Sequence, residues 1–239
     1  MYKRILLKLS GEAIRDDNQN QIINVEKLES IAKVIKSLHD EKIDVCVVIG
    51  AGNIWRGKLA KEVHIDPVPA DFMGMMGTVI NAVALSSNLN NQDVPAVVYS
   101  AIPEIPNVTK KYEISDVLKS FEEGKVCFLA GGTGKPFYTT DTAAALRACE
   151  LNCDAIFMGK NGVDGVYDKN PAEFKDAKFL KEVTYGSMLK NKLQIIDLSA
   201  VELLQDKNID VRIFSMSDPN NFLKVAKGLD IGTTLKKGE

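Results

Sequence analysis

What most limits the fold of this chain is its alternation of short apolar runs with segments of helical period, and the glycine clusters where several of those runs stop. Lys3–Ser10, Asp44–Ile49, Pro95–Ala101, Lys125–Ala130, Asp154–Met158 and Asp210–Met216 are brief and mostly apolar, the pattern of strands buried on both faces. Between the first two, Val25, Leu28, Ile31, Ala32, Ile35 and Leu38 fall on one helical stripe, and Asn24 is placed to cap it, which predicts a helix to Glu41. Further helices are expected from Pro69 or Ala70 to about Gln92, and over Ser115–Glu123, Thr142–Asn152, Tyr185–Asn191, Leu198–Lys207 and Asn221–Lys227. Gly232–Leu235 reads as a last strand, Asp16–Gln21 as a polar loop and Val166–Pro171 as a turn. Strand and helix in turn imply an α/β fold around a mainly parallel sheet.

In open α/β sheets ligands gather at the carboxyl ends of strands. Three such ends carry glycine-rich loops here, Gly50–Gly57, Ala130–Thr142 and Gly159–Gly165, so one shared crevice is expected. The middle loop joins a strand to a helix. Its backbone N–H groups at the helix N-terminus suit an anion, and Thr139, Thr140 and Asp141 add hydroxyl and capping groups. Taken alone, the segment fits an ordinary capped turn equally well.

Two nucleotide fingerprints fail. Gly50-Ala-Gly52 begins a G-x-G-x-x-G pattern, but Trp55 stands at the third glycine, where close helix–strand packing is needed. Gly134-Lys135 is followed by Pro136, and Leu129 stands where a P-loop needs its first glycine. The 239 residues show no linker and no repeat, so one compact unit is expected. A net charge of −2 argues against a general nucleic-acid binder. Four cysteines without a C-x-x-C pair and only two histidines argue against zinc and point to free thiols in a reducing compartment. With no signal peptide and no apolar run near the ~18 residues of a membrane span, a soluble cytoplasmic protein is expected.

What remains at the strand ends is a set of cations, hydroxyls and glycines suited to phosphoryl transfer, which asks for positioning and charge rather than a covalent nucleophile. The segments Lys8–Ala13, Gly50–Gly57, Ala70–Met76, Thr133–Asp141 and Val163–Tyr167 together resemble the amino-acid kinase fold family, and within it the bacterial uridylate (UMP) kinases. The resemblance runs from Lys3 to Leu235. It implies a three-layer αβα sandwich, assembled as a homohexamer, that passes the γ-phosphoryl of ATP to UMP in pyrimidine nucleotide biosynthesis. Mg²⁺ would be carried with ATP and no separate protein metal site is implied. UTP or GTP effectors are possible partners, and neither nucleic acid nor membrane is. Residues 1–150 would form a UMP-binding lobe and residues 151–239 an ATP-binding lobe.

Matched position by position, the resemblance makes Lys8 the lysine that stabilises transition-state charge, Asp141 the organiser of that lysine, and Arg56 a third catalytic group. Leu9, Ser10, Gly11, Gly52 and Arg56 would meet the ATP phosphates, with Lys160 as a second phosphate-binding lysine. Asn161 and Tyr167 would hold adenine and ribose. Asn170 stands where an aspartate before proline is usual. On the UMP side are Gly50, Ala51 (a glycine in many relatives), Thr133, Gly134, Lys135 and Pro136. Asp71 would hold the ribose hydroxyls, Phe137 or Tyr138 would lie by the uracil, and Thr139 and Thr140 would donate to the phosphate. Asp71 could instead cap the long helix and Asp141 the following one, while Trp55 reads as packing. A sibling kinase acting on an amino acid or carbamate, or a non-catalytic nucleotide-binding regulator, would share much of this pattern.

Overall fold

The computed structural model describes residues 2–17, 21–160, 162–191, 193 and 195–238. The chain runs β1 (Arg4–Leu9), α1 (Val25–Asp40), β2 (Asp44–Ile49), α2 (Pro67–Asn90), β3 (Ala96–Ser100), β4 (Lys110–Lys111), α3 (Ile114–Glu122), β5 (Val126–Ala130) and α4 (Thr140–Glu150). It continues through β6 (Ala155–Lys160), β7 (Val166–Tyr167), β8 (Phe179–Leu180), β9 (Glu182–Thr184), α5 (Tyr185–Asn191), α6 (Leu198–Leu204), β10 (Asp210–Ser215), α7 (Asn220–Ala226) and β11 (Thr233–Lys236). Single 3₁₀ turns at Gly11–Ile14 and Gly57–Ala60 follow β1 and the β2 loop.

Nine strands form one sheet in the order β4-β3-β5-β2-β1-β6-β10-β11-β9. Every neighbouring pair is parallel except β10 with β11. Helices cover both faces. In β1, Ile5, Leu7 and Leu9 enter a core shared with α1, α2 and α7, while Leu6 enters the other core, shared with α3, α4, α5 and α6. This is the αβα sandwich that the α/β alternation and the family resemblance called for. Side chains alternate along a strand, so Lys8 shares the Leu6 face and lies under α4. One charged residue in an otherwise apolar strand is thereby delivered beneath a helix N-terminus.

Three expectations need correction. Helix α2 begins at Pro67, because proline is tolerated in a first turn where N–H groups have no partner anyway. Helix α4 begins at Thr140, because Thr139 is its cap. Val166–Tyr167 is not merely a turn; it pairs antiparallel with Phe179–Leu180 in a separate two-stranded sheet. Strands this short carry no periodicity to read, and the same holds for β4 and β9. The expected Asp16–Gln21 loop includes residues 18–20, which lie outside the described residues.

The expectation about apolar length also fails at α2. By length and composition this 24-residue helix passes the test for a membrane span. Its packing against β3, β5 and α1 gives it a core role in the sandwich, which accounts for its apolar character. Cys46, Cys127 and Cys153 are buried and Cys149 is half-buried, all as free thiols.

Two glycines bring the site's loops together. A Cβ on Gly11 would lie 2.5 Å from the Gly50 carbonyl and the Asn53 Oδ1, so the turn after β1 can touch the loop after β2 only without a side chain. A Cβ on Gly77 of α2 would lie 2.8 Å from the Ala51 Cβ. Gly77→Ala should therefore destabilise the fold by about 1–3 kcal/mol although alanine is the better helix residue. Adding Ala51→Gly should recover most of that loss in urea unfolding. Equal stability of Gly77→Ala and wild type would refute the contact.

Candidate active site

The site begins where β1 passes under α4. Lys8 Nζ lies 2.5 Å from Asp141 Oδ1, and the two side chains are only 15% and 19% exposed. Asp141 is held in the first turn of α4 because Thr139 ends the preceding loop. The Thr139 Oγ1 accepts from the Asp141 N–H at 3.1 Å and the Thr142 N–H at 3.3 Å. Asp141 is thus not the helix cap, its alternative role, but a first-turn carboxylate beside the strand lysine. Lys160 ends β6, the strand beside β1. Burial, and secondarily the neighbouring Lys8 ammonium, lower its pKa, while Asp141 acts the other way. Two half-buried ammonium groups around one carboxylate leave an excess of positive charge at the strand ends, a preorganised seat for a polyanion.

Beside this cluster a cleft opens between the ends of β2 and β5 and the first half of α2. Ala51, Gly52, Trp55, Asp71, Met75, Thr78, Gly132, Thr133, Tyr138, Thr139 and Thr140 are among its lining residues. Trp55 packs as expected, its Nε1–H donating to the Ala70 carbonyl at 2.9 Å, and its ring also walls the cleft. The loop after β5 is pinned from α2 at both ends. The Gly131 N–H donates to Thr78 Oγ1 at 2.8 Å, and the Phe137 N–H to Asp71 Oδ2 at 2.7 Å. Asp71 sits inside α2 rather than at its cap, so its capping role is overturned in favour of this loop contact. Phe137 adopts the left-handed region at φ +71° and is 72% exposed.

The predicted residues are not all brought together. Gly50, Ala51, Gly52, Asp71, Thr133, Thr139 and Thr140 converge, with Thr140 Oγ1 3.5 Å from the point where a Gly50 Cβ would stand. Of the two neighbouring aromatic residues, Tyr138 and not Phe137 lies on the cleft wall. Gly134 is folded back on the Ala101 carbonyl, while Lys135 is exposed and Pro136 lies off the wall. Arg56 lies outside the cleft lining, its Nη2 paired with Glu12 Oε1 at 2.5 Å. The Gly11 contact is the reason, since it brings the turn after β1 beside the loop that carries Arg56. Ser10 caps that turn, its Oγ accepting from the Glu12 N–H at 3.3 Å, and the Leu9 side chain belongs to the core.

On the other flank Tyr167 donates to Asp164 Oδ1 at 2.8 Å and stands edge-on to Phe179. The Asn170 amide serves its own turn, donating to Glu173 at 2.7 Å and accepting from the Ala172 N–H at 3.1 Å. Asn161 lies outside the described residues.

A family model described as the amino acid kinase family matches residues 3–215. The chain belongs to this family. It is 39% identical over 235 residues to a uridylate kinase of Limosilactobacillus reuteri (strain DSM 20016), covering 98% of this chain and 97% of the relative. It is 43% identical to a uridylate kinase of Mycoplasma capricolum, covering 94% of each. The fold superposes on the crystal structure of UMP kinase from Bacillus anthracis with a TM-score of 0.95 and 36% identity, over 100% of this chain and 97% of that one. Those proteins are named for a nucleotide substrate, and the cleft described above is this family member's candidate seat for one.

Sequence reasoning missed Asp197. Its carboxylate caps α6 through the Ala200 N–H at 2.7 Å, and it accepts from the Thr139 hydroxyl and from Thr142 Oγ1 at 3.0 Å. An aspartate directly before the helical Leu198 run was a readable cap signal, but nothing local announced its reach to α4. Glu12 was quoted in its motif without a partner. The charge cluster itself can be tested. Asp141→Asn should push the Lys160 pKa further down, and Lys8→Met should let it rise towards the ordinary lysine range, both followed by lysine side-chain NMR titration. Shifts in the same direction for both variants would break the three-residue cluster.

Proposed function

We propose that the protein transfers the γ-phosphoryl group of ATP to UMP, giving UDP and ADP. The observation that carries this reading is the Lys8–Asp141–Lys160 cluster next in the chain to Thr139 and Thr140, which line the cleft with Gly132 and Thr133. Phosphoryl transfer needs cationic charge where the transferred oxygens gather and two nucleotides held in line, and this cluster lies on the seam between the two halves of the chain. The acceptor would occupy the cleft, in the lobe of residues 1–150, with its phosphate at Thr139 and Thr140 and its ribose at Asp71. The donor would lie over residues 151–239, with its phosphates at the turn after β1 and at Lys160, and its base near Tyr167. Relatives named as uridylate kinases at 39% and 43% identity favour UMP over an amino acid or carbamate as acceptor.

The carboxylates around the cleft are already engaged: Asp141 by Lys8, Asp71 by the Phe137 N–H, and Asp197 by Thr139, Thr142 and Ala200. Among the described residues no cluster of three or more acidic, histidine or cysteine side chains is arranged to hold a metal. That donor set fits Mg²⁺ riding on the ATP phosphates, where it would neutralise phosphate charge. The exposed apolar side chains Val68, Met76 and Ile80 on α2 favour subunit contacts of the kind a homohexamer would need. Regulation by UTP or GTP and a cytoplasmic place in pyrimidine nucleotide biosynthesis belong to the same reading.

Purified protein supplied with ATP, Mg²⁺ and one acceptor at a time should turn over UMP. Turnover of glutamate, aspartate or carbamate with none of UMP would refute the assignment. Lys8→Ala should lower kcat by about two to four orders of magnitude while leaving the thermal midpoint within a few degrees. An unchanged kcat would remove Lys8 from the chemistry.

A further inference from the structure

Behind the acceptor cleft lies a charge that the mechanism above does not use. Arg147, in the last turn of α4, is 5% exposed, a rare state for arginine unless its charge is matched. Its Nη1 pairs with Glu150 at 2.7 Å, and its guanidinium lies 3.8 Å from the centre of the Tyr112 ring. Tyr112 in turn donates to the same Glu150 carboxylate at 2.7 Å. These contacts fix the guanidinium plane. The remaining Nη2 donates to the Gly132 carbonyl at 3.2 Å.

That carbonyl shares its peptide group with the Thr133 N–H. The chain has no cis peptide among its described residues, so the N–H points opposite to the C=O. Gly132 and Thr133 both line the acceptor cleft. With the carbonyl drawn back to Arg147, the N–H is turned the other way, and it finds no acceptor among the described residues. Gly131 and Gly132 are both left-handed, at φ +77° and +59°, where glycine has no Cβ to resist rotation of the peptide. Rotation of this peptide is free on the Gly132 side and resisted at Thr133, whose φ would turn positive; the side chain behind it adds the one hydrogen bond to the carbonyl itself.

We propose that Arg147 is a positioning residue for the acceptor site: it locks the Gly132–Thr133 peptide so that the Thr133 N–H is presented to the bound nucleotide. Tyr112 and Glu150 hold the guanidinium in the plane that makes this possible. The inference rests on the reading of the cleft as the UMP site and adds a residue that never touches the substrate. A flipped peptide would aim a carbonyl at an anionic ligand, so the lock acts on the acceptor and leaves the ATP flank alone.

The test separates the two substrates. Arg147→Lys keeps a charge for Glu150 but lacks the planar fork that serves carboxylate and carbonyl together. Arg147→Met combined with Glu150→Gln removes both charges, so that no buried carboxylate is left unpaired, and Glu150→Gln alone is its reference. With UMP and ATP varied in turn, both arginine variants should raise the KM for UMP by roughly tenfold, the scale of one lost charged hydrogen bond. The KM for ATP should stay within twofold. A UMP KM unchanged in both variants, or equal rises for the two substrates, would overturn the proposal. Wild-type protein that turns over no UMP would sink the substrate reading and this inference with it, whereas wild-type turnover with indifferent variants sinks the inference alone.

Discussion

The ion pair between Lys8 and Asp141 is the contact around which the site is arranged, because it joins the central strand of the sheet to the helix that carries the acceptor loop. A half-buried pair of this kind adds little net stability, since desolvation offsets most of the attraction. Its consequence is geometric. The ammonium is fixed at the strand end, and the first turn of α4 is held directly over it. Lys160 then joins from β6, and its pKa is lowered first by burial and secondarily by the Lys8 ammonium beside it. A polyanion placed there would meet two ammonium groups already fixed in position.

The loops around this pair are held by side chains from elsewhere. Thr78 and Asp71 of α2 grip the acceptor loop from one side, Arg147 of α4 from the other, and Asp197 ties the cap of α4 to α6. The loop after β2 has its own support in Asn81, wholly buried in α2. Its Nδ2 donates to the Gly50 carbonyl and to Asn53 Oδ1, both at 2.8 Å, while Asn53 donates back to Asn81 at 3.0 Å. A buried amide pair whose donors are all engaged rigidifies the turn it touches. Glycine gives these loops their shape, and polar anchors on the helices keep them in it.

Much of this was legible in the chain. The α/β class, the glycine loops at strand ends and the Lys8, Thr139 and Asp141 positions follow from apolar periodicity and glycine clusters, while Asp71 and the role of each residue came with the family resemblance. The misses share one cause. The alternative cap roles of Asp141 and Asp71 are local readings that fail, since their partners lie 133 and 66 residues away, as the pairs Lys8–Asp141 and Asp71–Phe137 show. The pairing of Arg56 with Glu12 was likewise invisible in the sequence, since it needs the two loops to touch at Gly11. Phe137 and Tyr138 are neighbours of similar character, and only the left-handed backbone at Phe137 decides which ring meets the cleft.

The sequence by itself therefore determined the α/β alternation and the chemistry available at its strand ends, because strand and helix periods and glycine's freedom from a Cβ are local properties of the chain. Tertiary structure alone decided which charges meet, which carboxylates are already engaged, and that a buried arginine stands behind the acceptor loop. Those are contacts between residues far apart in sequence. Their partners are chosen by the packing of α2 and α4 against the sheet, and no local pattern encodes that choice.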